Sequence, residues 1–244
     1  MTGGWLAPAR PGAVVSLFCL PHAGGSAAAF DRWLAHYPPS VDVRPIRLPG
    51  RRERVGEPLI TDPVEMTRRL GEALLTTVDR PYALFGHSSG ALLAAGTAHW
   101  LVEHGARAPE LLVVSGMSGR TSGSAEAGER VRAATDARVL ATIPEDRELD
   151  DPRLRSLVAG VLRADLELGA RYRPPPTPLP IAVLALAGER DTVAPPDEVA
   201  AWRDRTAAPF RMRVLPGGHD FPYRQAASVA ALLIRQPALR DLVG

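Results

Sequence analysis

The chain has 244 residues, 45% of them hydrophobic and 23% charged, values that suit one globular domain with a substantial buried core. No lysine occurs, and the 29 basic residues, all arginine, are nearly balanced by 27 acids; a formal charge of only +2 is no nucleic-acid signature. The lone cysteine, Cys19, excludes an internal disulfide and a cysteine metal cluster, and no apolar run reaches the roughly 18 uncharged residues that a membrane span needs.

In chain order, short aliphatic or β-branched runs predict strands over residues 14–20, 41–46, 82–85, 111–115, 181–187 and 212–215. Helical stretches fill the intervals, at 31–36 after the first strand, 63–78 before the third and 89–103 after it. This alternation predicts an α/β fold with a mostly parallel sheet, and because most of the runs are continuously apolar, a sheet flanked by helices on both faces. If the second strand lies to one side of the first and the third to the other, the first and third are neighbours, and the loops that follow them face one crevice.

Arg10 ahead of residues 14–20 is a minimal match to a secretory signal; with a single cysteine, a cytoplasmic monomer is the expectation. Between Gly119 and Pro180 about sixty residues carry no strand signal, which predicts a helical lid inserted at about 120–178 into one domain spanning 1–244. Within it Asp151-Pro152 is a helix-start signal, followed by Leu154, Leu157, Val158, Val161 and Leu162 as an apolar stripe. Asp165 falls on or beside that stripe, either as a capped or solvent-facing acid or as a group near a substrate channel. The proline-rich stretch 174–180 reads as an extended connector.

Gly86-His87-Ser88-Ser89-Gly90 matches G-x-S-x-G between a predicted strand and a predicted helix. A sharp strand-to-helix turn lifts a serine hydroxyl above the sheet, and the amides opening the helix point to where negative charge develops on a reacting carbonyl. A neutral hydroxyl needs a base, and the base needs a carboxylate to hold one tautomer. Both occur downstream in the order such a site takes. Asp191 follows the strand at 181–187, and His219 in Gly217-Gly218-His219 follows the strand at 212–215. Asp191 alternatively caps the helix near Pro195, with Glu189 as a rival acid, and His219 is alternatively a loop histidine. His36, His99 and His104 read as structural or solvated, and His87 as packing beside the turn. None of the six histidines forms a metal pair.

An oxyanion hole needs a second amide from the loop after the first strand, Pro21-His22-Ala23-Gly24-Gly25, and the backbone N–H of Ala23 with that of Ser89 fits the part. A plain glycine turn is the alternative.

Together these residues resemble the α/β-hydrolase superfamily and, within it, the type II (editing) thioesterases of polyketide and nonribosomal peptide synthesis. The resemblance covers nearly the whole chain. Its more specific marks are the loop 21–25, Leu48-Pro49-Gly50-Arg51 with Arg54 and Glu57-Pro58, and Arg163-Ala164-Asp165 before Tyr172; Trp202 belongs to it as well. It implies an acyl-thioester hydrolase acting on the phosphopantetheine arm of acyl or peptidyl carrier proteins, with no cofactor of its own. A medium-chain fatty-acyl thioesterase, a small-molecule esterase or a non-catalytic binding module on the same fold are the alternatives. His22, Asp165, Arg51 and Arg54 are candidate contacts to substrate or carrier. Arg47, Arg51, Arg52 and Arg54 form a basic cluster that either steers an acidic carrier or is a solvated loop paired with Glu53 and Glu57. The chain departs from the family where Ser89 replaces an apolar residue after the nucleophile and Asp220 an aromatic after the histidine; Asp220 is placed to compete for His219.

Overall fold

The computed structural model describes residues 4–142 and 151–243. The six apolar runs form strands whose ends fall within two residues of the expected ones: β1 Val15–Leu20, β2 Val41–Pro45, β3 Tyr82–His87, β4 Leu111–Ser115, β5 Val183–Gly188 and β6 Phe210–Leu215. They make one sheet in the order β2-β1-β3-β4-β5-β6, with every neighbouring pair parallel. β1 and β3 are adjacent while β2 lies on the far side of β1, so the chain reverses its direction of travel across the sheet at the crevice expected from the sequence.

Alternation along each central strand sends successive side chains into two cores. Phe18, Leu20, Leu84, Leu112, Val114 and Ala185 face one layer, which holds α1 (Pro63–Leu75) and α2 (Ser89–Glu103). Leu17, Cys19, Phe85, Val113, Leu184 and Leu186 face the other, built from a ten-residue 3-10 helix, Ala27–His36, and helices nearer the C-terminus. Full burial on both faces is why β1, β3, β4 and β5 read as unbroken apolar runs. The outermost strand β6 differs. Arg211, Arg213 and Val214 are exposed, whereas the opposite edge strand, β2, is buried at four of its five residues.

Between β4 and β5 the described elements are three helices joined by loops: α3 Ala125–Arg132, α4 Asp136–Leu140 and α5 Pro152–Arg171. Residues 143–150 of the expected insertion lie outside the described residues. Asp151 accepts the N–H of Arg153 at 2.8 Å and Pro152 opens the first turn of α5, as the sequence signal requires. The stripe is only half buried. Val161 and Leu162 pack inward, whereas Leu154 and Leu157 remain 45% and 47% exposed, with Leu157 lining an open groove beside Val55 and Leu59. The buried face of α5 lies further along, where Ala159, Ala164 and Leu168 meet the body of the protein. No described helix is long and apolar enough to cross a membrane.

After β5 come α6 Pro196–Ala200, then β6, then α7 Phe221–Arg224, α8 Ala226–Ile234 and α9 Pro237–Val243. α2 is the central helix, buried along almost its whole length between the sheet and α1 and α5. Its approach is so close that a Cβ on Gly90 would sit 2.4 Å from the carbonyl oxygen of Pro21 and 2.5 Å from that of Leu20. A Cβ on Gly86 would meet the carbonyl oxygen of Gly90 at 2.1 Å. Both obstacles are backbone, which cannot swing aside. Gly90→Ala is therefore expected at the upper end of overpacking costs, about 3 kcal/mol, lowering Tm by about 6–12 °C in a thermal melt; an unchanged Tm would contradict this packing.

Candidate active site

β3 ends at His87, and the chain turns at Ser88 into the first residue of α2. Ser88 has φ 55° and ψ −127°; among the described residues only Arg52 is another non-glycine with positive φ. Such a conformation costs about 1–3 kcal/mol and persists only where its surroundings impose it. Here the Ser88 N–H donates to the Ser115 carbonyl at the end of β4 (2.8 Å), and the Ser88 carbonyl accepts from the Ala91 N–H (2.9 Å). Backbone bonds on both sides thus fix the residue and leave its hydroxyl free of structural duty.

That hydroxyl meets the two side chains expected from the sequence. His219 Nε2 is 3.1 Å from Ser88 Oγ, across 131 residues of chain, and His219 Nδ1 is 2.8 Å from Asp191 Oδ2. Asp191 is delivered by the loop after β5 and its side chain is fully buried. Its other oxygen, Oδ1, accepts the N–H groups of Val193 and Ala194 at 2.9 and 3.0 Å. Asp191 therefore shapes its own turn and orients the imidazole at once, while α6 begins beyond Pro195 without a side-chain cap. The rival acid Glu189 is exposed. Burial works against the charge on Asp191, but the bond from His219 and the amides of Ala194 and Val193 outweigh it and hold the carboxyl below its usual range. An ionised Asp191 keeps the imidazole proton on Nδ1, leaving Nε2 as an acceptor aimed at the hydroxyl.

Behind this line lies a layer of rings. His87 is buried, with Nδ1 3.1 Å from both the carbonyl and the hydroxyl oxygen of Ser115, and its ring centroid is 4.9 Å from that of His219. Burial first, then the neighbouring His219 and His22, push its pKa well down, so His87 is a neutral packing residue as expected. The His22 side chain does not stand free for a substrate. Its Nδ1 is 2.8 Å from the Tyr223 hydroxyl, which also accepts the His22 N–H at 3.3 Å, and its ring packs beside His87 and Tyr223. Sequence reasoning missed Tyr223 and Ser115. Neither carries a local signal, since each acquires its partner only when distant strands and loops meet.

The tight seat of Gly90 against Leu20 and Pro21 brings the first turn of α2 and the loop 21–25 to the same edge of the sheet. Asp165 and the arginines require corrections. Asp165 is neither a cap nor solvent-facing: it is buried in α5 and forms a two-pronged ion pair with Arg51, at 2.7 and 2.9 Å. Arg51 and Arg54 are buried too, so neither offers an exposed charge to a carrier. Arg54 lies 4.2 Å from the Trp5 ring centroid, pairs with Glu57 at 2.7 Å and donates to the Arg47 carbonyl at 2.6 Å. Of the supposed basic cluster only Arg52 is exposed, and Arg47 is paired with Glu53 at 3.3 Å. The cluster dissolves because the loop folds its arginines inward to satisfy backbone carbonyls and acids.

The model of the Thioesterase domain family matches residues 15–236. The chain belongs to this thioesterase family. It is 39% identical over 223 residues to Thioesterase PikA5 of Streptomyces venezuelae, covering 86% of this chain and 76% of the relative. It is equally 39% identical over 235 residues to the AMB antimetabolite synthetase AmbE of Pseudomonas aeruginosa, covering 93% of this chain but only 11% of that much longer protein. Among solved structures, the type II thioesterase BorB from the borrelidin biosynthetic cluster superposes with a TM-score of 0.83 at 30% identity, covering 98% of this chain and 99% of that one. The protein is thus a thioester hydrolase of the α/β-hydrolase fold, among the type II thioesterases.

The two departures of this thioesterase from its family's pattern have structural accounts. Asp220 does not reach for His219; its carboxylate pairs with Arg224 one turn on. The aromatic character expected next to the histidine is displaced by one residue, to the buried Phe221, whose ring packs 5.9 Å from His87. Ser89 opens α2 and is buried there. Asp220→Asn is accordingly expected to leave kcat/KM within about threefold, the scale of a surface charge change of a few tenths of a kcal/mol; a loss beyond tenfold in steady-state assays would mean that Asp220 acts on His219.

Proposed function

We propose that this thioesterase hydrolyses acyl groups from the phosphopantetheine arm of acyl or peptidyl carrier proteins, clearing aberrant or stalled chains in polyketide or nonribosomal peptide synthesis. The observation that carries the reading is the unbroken hydrogen-bonded line from Ser88 through His219 to a buried, ionised Asp191. Ser88 is the nucleophile, His219 the base and Asp191 its orienting acid. As Ser88 Oγ bonds to the thioester carbonyl carbon, its proton passes to His219 Nε2, and the carbonyl oxygen takes the negative charge facing the amides of Ala23 and Ser89. Collapse breaks the C–S bond. A thiol of pKa about 8.5 departs readily and takes the proton from His219. His219 then deprotonates a water that attacks the acyl-serine, and the carboxylic acid leaves with Ser88 restored. Every step uses the protein's own groups and water, so the reaction needs no metal or cofactor beyond the phosphopantetheine that arrives with the substrate. We assign this activity to a monomer in the cytoplasm.

The test compares turnover of acyl-carrier protein, acyl-CoA and p-nitrophenyl esters by the same enzyme. A higher kcat/KM for the carrier-bound thioester supports the assignment. A preference for free esters or for medium-chain acyl-CoA would replace it with an esterase or a fatty-acyl thioesterase using the same three side chains.

A further inference from the structure

We infer that the buried Arg51–Asp165 pair positions the loop 21–25 so that the Ala23 amide faces the developing oxyanion; the inference rests on the serine-hydrolase reading above. Three separate segments meet at this pair. Asp165 comes from α5, Arg51 from the loop after β2, and both close on the loop after β1. Asp165 Oδ2 accepts the Gly24 N–H at 2.7 Å and Arg51 Nη1 at 2.7 Å, while Oδ1 accepts Arg51 Nη2 at 2.9 Å. Arg51 Nη1 also donates to the Gly25 carbonyl at 3.0 Å, and its Nε to the Pro49 carbonyl at 3.3 Å.

The consequence follows from peptide planarity. The Ala23 N–H shares its plane with the His22 carbonyl, and that carbonyl accepts the Gly25 N–H at 2.9 Å. The next plane ends in the Gly24 N–H, which Asp165 holds, and the Gly25 carbonyl beyond it is held by Arg51. The His22 carbonyl, the Gly24 N–H and the Gly25 carbonyl around the Ala23 amide are thus each bonded, and the last two ties run to one ion pair. Stability alone does not explain that pair. Both side chains are 8% exposed, and at such burial the cost of desolvation commonly cancels the attraction, so well-packed apolar residues of similar volume serve the fold as well. What apolar residues cannot supply is an acceptor for the Gly24 N–H and a donor for the Gly25 carbonyl. Asp165 and Arg51 are positioning residues, because they touch the loop and not the reacting atoms.

The decisive variant is the double substitution Arg51→Met with Asp165→Leu, which removes both charges together; either single change would strand the other charge in the interior and risks unfolding. The double variant is expected to fold with a lower Tm, because the Gly24 N–H and the Gly25 carbonyl lose their partners, and with kcat on a short acyl thioester reduced about 10- to 100-fold and KM within about twofold, a smaller loss than deleting an oxyanion donor outright. The rate of labelling by a fluorophosphonate, which also builds charge on an oxygen in that hole, should fall by a similar factor. Arg51→Lys, which keeps the charge but loses the two-pronged geometry, should give an intermediate kcat. A folded double variant with kcat within twofold of normal would overturn the positioning role, and so would a raised KM with unchanged kcat, which would make the pair a substrate contact. If the unaltered enzyme were neither labelled nor active on any thioester, the hydrolase reading itself would fall and this inference with it; an active, labelled enzyme beside an unimpaired double variant sinks the inference alone.

Discussion

Ser88→Ala is expected to lower kcat by about four to six powers of ten and to abolish fluorophosphonate labelling. The substitution deletes the only atom that bonds to the acyl carbon and leaves the machinery around it standing. The Ser88 N–H still donates to Ser115 and its carbonyl still accepts from Ala91, so the turn keeps its shape. Alanine at φ 55° bears the same strain as serine, and Tm should therefore stay within about two degrees, since one partly solvated hydrogen bond contributes about 1 kcal/mol or less. Activity and stability are thus expected to separate cleanly. His219→Ala should fall to a similar floor, and the double variant little further, because nucleophile and base work as one unit. Labelling that survives in Ser88→Ala would assign the nucleophile elsewhere.

The parts of this arrangement legible in the sequence are those with local causes. Mostly apolar runs marked β1, β3, β4 and β5 because a parallel strand buried on both faces admits a polar side chain only where it finds a partner. Ser88, Asp191 and His219 each follow a strand, so a sheet with all its carboxyl ends on one side must bring them to one edge. The illegible parts depend on pairing between distant segments. Arg51 and Asp165 lie 114 residues apart, and nothing within reach of either betrays the other; each alone reads as a surface charge. Tyr223 bonds to His22 across 201 residues in the same way. The exposed half of the α5 stripe failed for a related reason, since helical periodicity locates an apolar face but not how far along the helix that face meets the core. At Gly86 and Gly90 the structure shows a steric cause that the motif alone does not: α2 lies against the ends of β1 and β3 at a distance no Cβ would tolerate.

Asp191→Asn should cost nearly as much activity as losing the serine, about 10⁴-fold in kcat at neutral pH, although it changes one atom. The reason lies on the far side of the carboxylate from the histidine. Oδ1 accepts the amides of both Val193 and Ala194, and an asparagine can satisfy those two donors only with its carbonyl oxygen. Its NH2 group is then forced toward His219 Nδ1, which must give up its proton to accept the bond. The proton moves to Nε2, where it points at Ser88 Oγ and turns the base into a donor. Fluorophosphonate labelling should slow in step with kcat, since both need a deprotonating base. The pH dependence of stability supplies an independent check. A carboxylate whose folded pKa is depressed stabilises the fold above its unfolded pKa and loses that contribution as pH falls through the folded value. Asp191 is such a group, so its contribution is complete at neutral pH and disappears in acid. The variant lacks that titration, and its Tm should fall less steeply with acidification than that of the unaltered enzyme. An Asp191→Asn enzyme within tenfold of normal activity would mean that the imidazole finds its tautomer without this carboxylate.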